Sequence, residues 1–200
     1  MKIWVDRLKQ EHTLPPEGYK ALLTCTHVDV TTYLHRQAQK VTQARFGNNI
    51  YIRGLIEISN CCRNNCYYCG IRKGNPQVER YRLSRETILD CCTQGYELGF
   101  RTFVMQGGED AAQSSEWVEE TAIRNRFPDC AITLSLGEKT REEYERFFRA
   151  GANRYLLRHE TFNAEHYKLL HPAEMSQQNR IQCLHWLKEI GYQTGTGIMG

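Results

Sequence analysis

From residue 48 onward the chain alternates short apolar runs with amphipathic stretches, and that alternation fixes most of what it can fold into. Runs over 50–59, 102–106, 131–136, 153–160 and 192–199 read as strands. Between them helices begin near Ser84, Ser115, Thr140 and Ser176, with a shorter turn of helix after Asn163. Thr140-Arg141-Glu142-Glu143 fits a capping box, in which threonine and glutamate satisfy each other's end-of-helix donors. Such repetition favours a parallel sheet of βα units. Five strands with four crossovers predict an α/β fold, a partial (β/α)8 TIM-type barrel amounting to about five-eighths of the whole. Residues 1–47 read instead as an N-terminal helical cap of three segments, 3–8, 16–24 after Pro15-Pro16, and 30–46 ending at Gly47. Asp29 with Thr31 and Thr32 is the expected start of the third, and Tyr33, Leu34, Val41 and Phe46 its imperfect apolar face. The expected domains are therefore the cap, 1–47, and the N-terminal part of the barrel, 48–200.

The strand patterns describe the barrel interior. Thr133, Ser135 and Gly137 fall on one face of the third strand, opposite Ile132, Leu134 and Leu136. In the fourth, Arg154, Leu156, Arg158 and Glu160 oppose Tyr155, Leu157 and His159; the first repeats the pattern weakly with Arg53, Glu57 and Ser59. An ordinary barrel lumen is filled with branched apolar side chains, so a polar inner face predicts a lumen that holds a polar ligand. His159 is expected to face away from it.

A cysteine run, Cys62-Arg63-Asn64-Asn65-Cys66-Tyr67-Tyr68-Cys69-Gly70, follows the first strand with C-x3-C-x2-C spacing. It offers three thiolates, and a cubic iron-sulfur cluster held by three leaves one iron open for chemistry, whereas electron carriers usually supply four. Zinc is the competing metal, but closed structural zinc sites want four ligands, and no second C-x-x-C or H-x3-H follows. Plain packing cysteines are the remaining alternative. Cys61, adjacent to Cys62 on an extended strand end, is expected to point away. Active sites of such barrels lie at the C-terminal strand ends, and the cysteines, Gly107-Gly108-Glu109, Ser135, Gly137 and Glu160 all fall there.

On these residues the chain resembles the radical S-adenosylmethionine (SAM) enzymes. Arg80-Tyr81-Arg82, Gln106-Gly107-Gly108-Glu109-Asp110, 133–138 (Thr-Leu-Ser-Leu-Gly-Glu) and 154–161 (Arg-Tyr-Leu-Leu-Arg-His-Glu-Thr) make it similar, over about residues 45 to 200, to the HydE-type maturases of FeFe hydrogenase. Biotin synthase and methylornithine synthase share the plan without the last run. The resemblance implies a 4Fe-4S cluster on Cys62, Cys66 and Cys69. It implies a SAM site in which Gly107, Gly108 and Glu109 meet the amine, Ser135 lies on the rim, and Glu160 accepts from the ribose. In that site Arg180 pairs with the methionine carboxylate and Tyr68 stands beside the adenine. Reductive cleavage to a 5'-deoxyadenosyl radical, maturation of the diiron cluster, other hydrogenase maturases and an electron donor as partners come with it. So does an iron carbonyl-cyanide substrate with a sulfur-bearing ligand, for which Arg158, Arg154 and Thr133 are the expected contacts. Family members continue with three more strand-helix units, so the 200-residue chain is expected to be a fragment whose barrel does not close. A biotin synthase-like or methylornithine synthase-like enzyme, a non-enzymatic iron-sulfur protein or an inactive fragment stay open beside this reading.

Composition excludes little else. Net charge is +3, from 26 basic and 23 acidic residues, too balanced to argue for nucleic acid. The absence of a long apolar run or signal core predicts a cytoplasmic chain with no membrane partner. Nine cysteines in a reducing compartment read as ligands or small hydrophobes, with Cys25, Cys91, Cys92, Cys130 and Cys183 expected in packing.

Overall fold

The computed structural model describes residues 1–112 and 123–199, and it divides into two compact units, Met1–Tyr51 and Ile52–Gly200. The expected helix near Ser115 lies outside the described residues. The first unit holds α1 (Lys2–Glu11), α2 (Pro16–Leu23) and α3 (Val28–Phe46). Pro16 starts α2 at the position where a missing N–H costs nothing. Tyr33 donates to Asp6 at 2.6 Å, tying α3 to α1. The start of α3 corrects the sequence reading: His27 is the N-cap, and Asp29 lies in the first turn, where its charge suits the helix dipole without capping it. Val30 is the buried residue of α3, while Val41 and Phe46 are exposed, so the expected apolar face is shorter than the pattern implied.

In the second unit come β1 (Gly54–Ser59), α4 (Arg85–Glu97), β2 (Thr102–Gly107), the helical turn α5 (Ile123–Arg126), β3 (Ala131–Ser135), α6 (Arg141–Arg149), β4 (Arg154–Leu156), α7 (Ala164–Leu170), α8 (Gln177–Ile190) and β5 (Gln193–Gly195). The sheet runs in chain order, every neighbouring pair parallel, which is the winding expected of a (β/α) barrel segment. Local signals carry the helix starts: Ser84, Asn163 and Ser176 each accept a backbone N–H at their N-caps, and Thr140 with Glu143 completes the capping box.

Strand lengths are shorter than the apolar runs. Residues 50–53 lie outside the sheet, with Ile50 89 % exposed, because β2 supplies no partner before Phe103, which pairs with Gly54. Beyond Leu156 the fourth run still follows the fifth, through Leu157 N–H to Gly195 O and His159 N–H to Gly197 O, but Glu160 takes a left-handed φ of 63° and ends the regular ladder.

Ile56, Ile58, Phe103, Met105, Ile132, Leu134, Leu136, Tyr155 and Leu157 form the sheet's side of one core, met by Ile88 and Cys92 of α4, Tyr144 and Phe147 of α6, and Cys183 and Leu187 of α8. Cys130 is buried there too, whereas Cys91 is exposed and Cys25 only half-buried, so packing does not explain those two. On the opposite face Glu57, Gln106, Thr133, Ser135, Arg154 and Arg158 are joined by Leu55, Val104 and Leu156, so that face is mixed rather than uniformly polar. Ser59 leaves it: the pairing register shifts between Glu57 and Ser59, and Ser59 is buried.

That shift turns the Ser59 hydroxyl onto Asp110, to which it donates at 3.1 Å. Arg82, bridged antiparallel to Ser59, donates to the same carboxylate through Nε at 2.6 Å and a terminal nitrogen at 3.0 Å, and the Ala112 amide adds a fourth bond at 3.0 Å. Burial pushes the Asp110 carboxyl up, but Arg82, the Ala112 amide and Ser59 outweigh it and hold it below the usual carboxylate range. Its stabilisation is therefore present above the ordinary aspartate pKa and is lost as pH falls through the depressed value. Asp110→Asn should cost about 1–2 kcal/mol at neutral pH, discounted for the half-exposed Arg82. Thermal melts of variant and wild type should differ at pH 7 and converge as pH drops below about 4, the unfolded carboxylate range.

Candidate functional site

The tips of β1 and β2 press together. A Cβ added at Gly108 would stand 2.1 Å from the Cys61 carbonyl oxygen and 2.8 Å from Cys62 Cβ, so only glycine fits there. Gly107 stands opposite Ser59 in the last step of the ladder, and Gly108 N–H donates to Ser59 O at 3.1 Å. Glu109 is buried; its carboxylate accepts from the Arg63 guanidinium and from the Glu138 amide at 2.9 Å, while its carbonyl accepts the Arg63 amide at 2.9 Å. Gly137, at φ 75°, gives way to that same side chain: a Cβ would fall 2.4 Å from Glu109 Oε2. Glu109 thus fastens the loops after β1, β2 and β3 to one another.

The cysteine loop spans the gap from β1 to α4 without regular structure. Cys69 N–H donates to Cys66 O, Lys73 N–H to Asn64 O and Tyr67 N–H to Leu170 O. Cys66 is buried and Cys62 and Cys69 half-buried; the Cys66 sulfur lies 3.6 Å from that of Met175. Burial above all, with the charges of Cys62 and Cys69 and against that of Arg180, leaves the Cys66 thiol raised to about 11. Among the described residues no three His, Cys, Asp or Glu side chains converge as a single metal ion would need. A polynuclear cluster takes its thiolates one per iron, and a directly coordinated thiol is deprotonated by the metal's charge whatever its own pKa. Three free thiols on one short loop, whose start is packed backbone to backbone on Gly108, fit such a group.

Around this loop stand the other residues singled out from the sequence. The Tyr68 hydroxyl lies 3.3 Å from His171 Nε2, and burial, then the charges of Cys66 and Glu160, raise its pKa. His171, buried and held neutral by its desolvation, stacks on Tyr167 with ring centroids 4.0 Å apart. Arg180 is no solvated helix charge: its side chain is 12 % exposed, with Nε 2.7 Å from Glu138 Oε1. That oxygen receives no aligned hydrogen bond, so the contact is one of charge more than of direction. Burial works against both ions. Even so, Glu138 holds Arg180 firmly protonated, while burial leaves the Glu138 carboxyl above its usual range despite Arg180. Glu160 is half-buried, its carbonyl accepting Met199 N–H at 2.9 Å. The charges of Cys66, Glu160 and Arg180 are all felt at the Tyr68 hydroxyl. His159 pairs with Thr196 at 2.8 Å.

Further from the rim, Thr133, Arg154 and Gln193 pair across β3, β4 and β5, and Arg154 Nε donates to Gln193 Oε1 at 2.7 Å. Ser135 pairs with Gln106, which donates to Glu57 at 3.2 Å; Arg158 is exposed. Tyr167, His171 and Met175 were not singled out from sequence, and Glu138 only as the end of the 133–138 run, directly after Gly137 at a strand end.

The family model described as the radical SAM superfamily matches residues 56–200. The [FeFe] hydrogenase maturase subunit HydE of Thermotoga maritima is 42% identical over 166 residues, covering 83% of this chain and 47% of that protein. The 3-methylornithine synthase of Methanosarcina acetivorans is 28% identical over 197 residues, 97% of this chain and 56% of the other. Among solved structures, methylornithine synthase (PylB) superposes with a TM-score of 0.84 at 25% identity, over 98% of this chain and 58% of that one. HydG, a maturase of the [FeFe]-hydrogenase, reaches 0.86 at 22% identity over 98% of this chain and 45% of its own, a likeness of fold alone. The chain spans about half the length of the curated relatives it matches. On the cysteine loop at the first strand's tip and a family match running from β1 to the chain's last residue, the chain belongs to the radical SAM superfamily.

Proposed function

We propose that the protein is a HydE-type radical SAM enzyme acting in maturation of the FeFe-hydrogenase diiron cluster. What carries the reading is the three-cysteine loop packed onto Gly107-Gly108, in a chain 42% identical to a HydE maturase. A bound 4Fe-4S cluster would supply one electron to the sulfonium of S-adenosylmethionine, giving methionine and a 5'-deoxyadenosyl radical. The chain's part is to bind, orient and exclude water. Cys62, Cys66 and Cys69 would hold the cluster. Gly107 and Gly108 would offer backbone to the cofactor's amine, and their missing side chains let that backbone lie directly against Ser59, Cys61 and Cys62. Arg180, kept charged by Glu138, suits the methionine carboxylate through its planar fork, and Glu160 suits the ribose hydroxyls. Tyr68 stands on the cysteine loop as a flat face for the adenine, and Ser135 lies one pairing step below the rim. Glu109 would meet the amine together with Gly107 and Gly108, while its carboxylate, bound to Arg63 and the Glu138 amide, fixes the loops.

Thr133, Arg154 and Arg158 lie on the face away from the helices and would receive an anionic substrate, an iron carbonyl-cyanide species with a sulfur-bearing ligand. Other hydrogenase maturases and an electron donor are the partners this implies. The 28% identity to methylornithine synthase and the 0.84 superposition favour a second reading within the same chemistry, action on a carbon substrate. Among the described residues no helix is long and apolar enough to cross a membrane.

Anaerobic reconstitution with iron and sulfide should yield a reduced protein whose electron paramagnetic resonance spectrum shifts on adding S-adenosylmethionine, with 5'-deoxyadenosine formed. Both effects should vanish in Cys66→Ala; deoxyadenosine surviving that change would sink the ligand assignment. Glu138→Gln, which leaves Arg180 without its buried counter-charge, should raise KM for S-adenosylmethionine about tenfold, an effect of about 1.4 kcal/mol, and alter kcat less. An unchanged KM would show that Arg180 is not positioned through Glu138.

A further inference from the structure

Fourteen residues separate Asn60 from Asn75, all three ligand cysteines lie among them, and no helix or strand orders the stretch. Ordering such a segment costs backbone entropy at every residue, so it needs tie points. One side chain supplies four of them, and from both ends of the stretch. Arg80, half-buried, donates through one terminal nitrogen to Asn60 O at 2.6 Å and Ile71 O at 2.8 Å. The other terminal nitrogen donates to Arg72 O at 2.7 Å and Asn75 O at 3.3 Å. The first carbonyl precedes Cys62 and the other three follow Cys69, so the guanidinium closes the loop on both sides of its thiols. The backbone next to Arg80 is itself anchored. Asn60 takes Tyr81 N–H at 2.8 Å and gives its amide to Glu79 O at 2.7 Å, and the Tyr81 hydroxyl reaches Glu57 O at 3.2 Å. Two residues on, Arg82 is fixed by Asp110. None of the four acceptors is a side chain, so their chemistry would suit any sequence in the loop; only the fork's shape is specific.

We infer that Arg80 is a positioning residue for the iron-sulfur cluster: it sets the cysteine loop in its receptive shape before metal arrives. This rests on the radical SAM reading of the cysteines. A lysine keeps the charge but offers a point donor in place of the planar fork, and it cannot serve four carbonyls spread across two nitrogens. Arg80→Lys therefore separates the fork from the charge.

The test has a metal-free arm and a loaded arm. In the metal-free chain, amide hydrogen exchange at Lys73, Gly74 and Asn75, whose N–H groups bond within the loop, should speed up at least about tenfold in Arg80→Lys, while the core amides of Phe103 and Leu134 keep wild-type protection. After anaerobic reconstitution, the variant should lose iron to a chelator about tenfold faster or more, as partners of metal ligands commonly show. Its reduced-state paramagnetic spectrum should broaden, and guanidinium ion added to Arg80→Ala should restore part of the iron retention. Wild-type loop exchange and iron retention in Arg80→Lys would overturn the inference. So would core protection falling together with the loop, which would make Arg80 a residue of the general fold. If wild type itself takes up no iron and sulfide, the radical SAM reading of the loop fails, and the exchange comparison alone then decides whether Arg80 orders it.

Discussion

Everything at this site depends on two strand tips approaching closer than side chains allow. Gly108 lies against the Cys61 carbonyl with no room for a methyl group, and Gly137 yields in the same way to Glu109. Because the approach is backbone against backbone, it must be held by bonds instead of apolar packing. Asp110 gathers Ser59, Arg82 and the Ala112 amide, and Glu109 gathers Arg63 and the Glu138 amide. Two adjacent carboxylates thus bind the first three strand-to-helix loops into one floor, and the cysteines stand on it. Unpaired, either would be a buried charge with nothing to offset its desolvation. Each is instead surrounded by donors.

Helix starts were legible because they are local. Ser84, Thr140, Asn163 and Ser176 each bond an amide three residues on, so the signal and its cause share one turn of chain. Strand ends were not, because a strand is as long as its neighbour permits. Residues 50–53 are as apolar as those that follow, yet the ladder starts at Gly54, where β2 begins to pair. Asp29 misled for a related reason: a carboxylate favours both the cap and the first turn, and spacing alone does not separate them.

The site was readable to the extent that its chemistry is written in consecutive residues. C-x3-C-x2-C announces its thiols, and Gly107-Gly108 announces a close approach. Arg180 and Glu138 form a pair 42 positions apart, and neither spacing nor periodicity links them. Arg80 stands in the Arg80-Tyr81-Arg82 run that carries the family resemblance, but what it holds belongs to the same class. On an extended segment an arginine looks like a solvated charge, and its four acceptors are carbonyls, which every residue possesses.

The Glu138–Arg180 pair also bears on why the site holds charge at all. A buried ion pair seldom repays its desolvation, so one kept for stability alone would be expected in its best geometry. Here Glu138 Oε1 sits close to Nε but off the bond direction, and Tyr167, whose hydroxyl is buried without a hydrogen-bond partner, stands near the same guanidinium. Five N–H donors are more than one misaligned carboxylate can saturate. The arrangement fixes the charge of Arg180, and that charge in turn draws the Cys66 thiol down. Glu138 balances the charge while taking up only part of the planar fork.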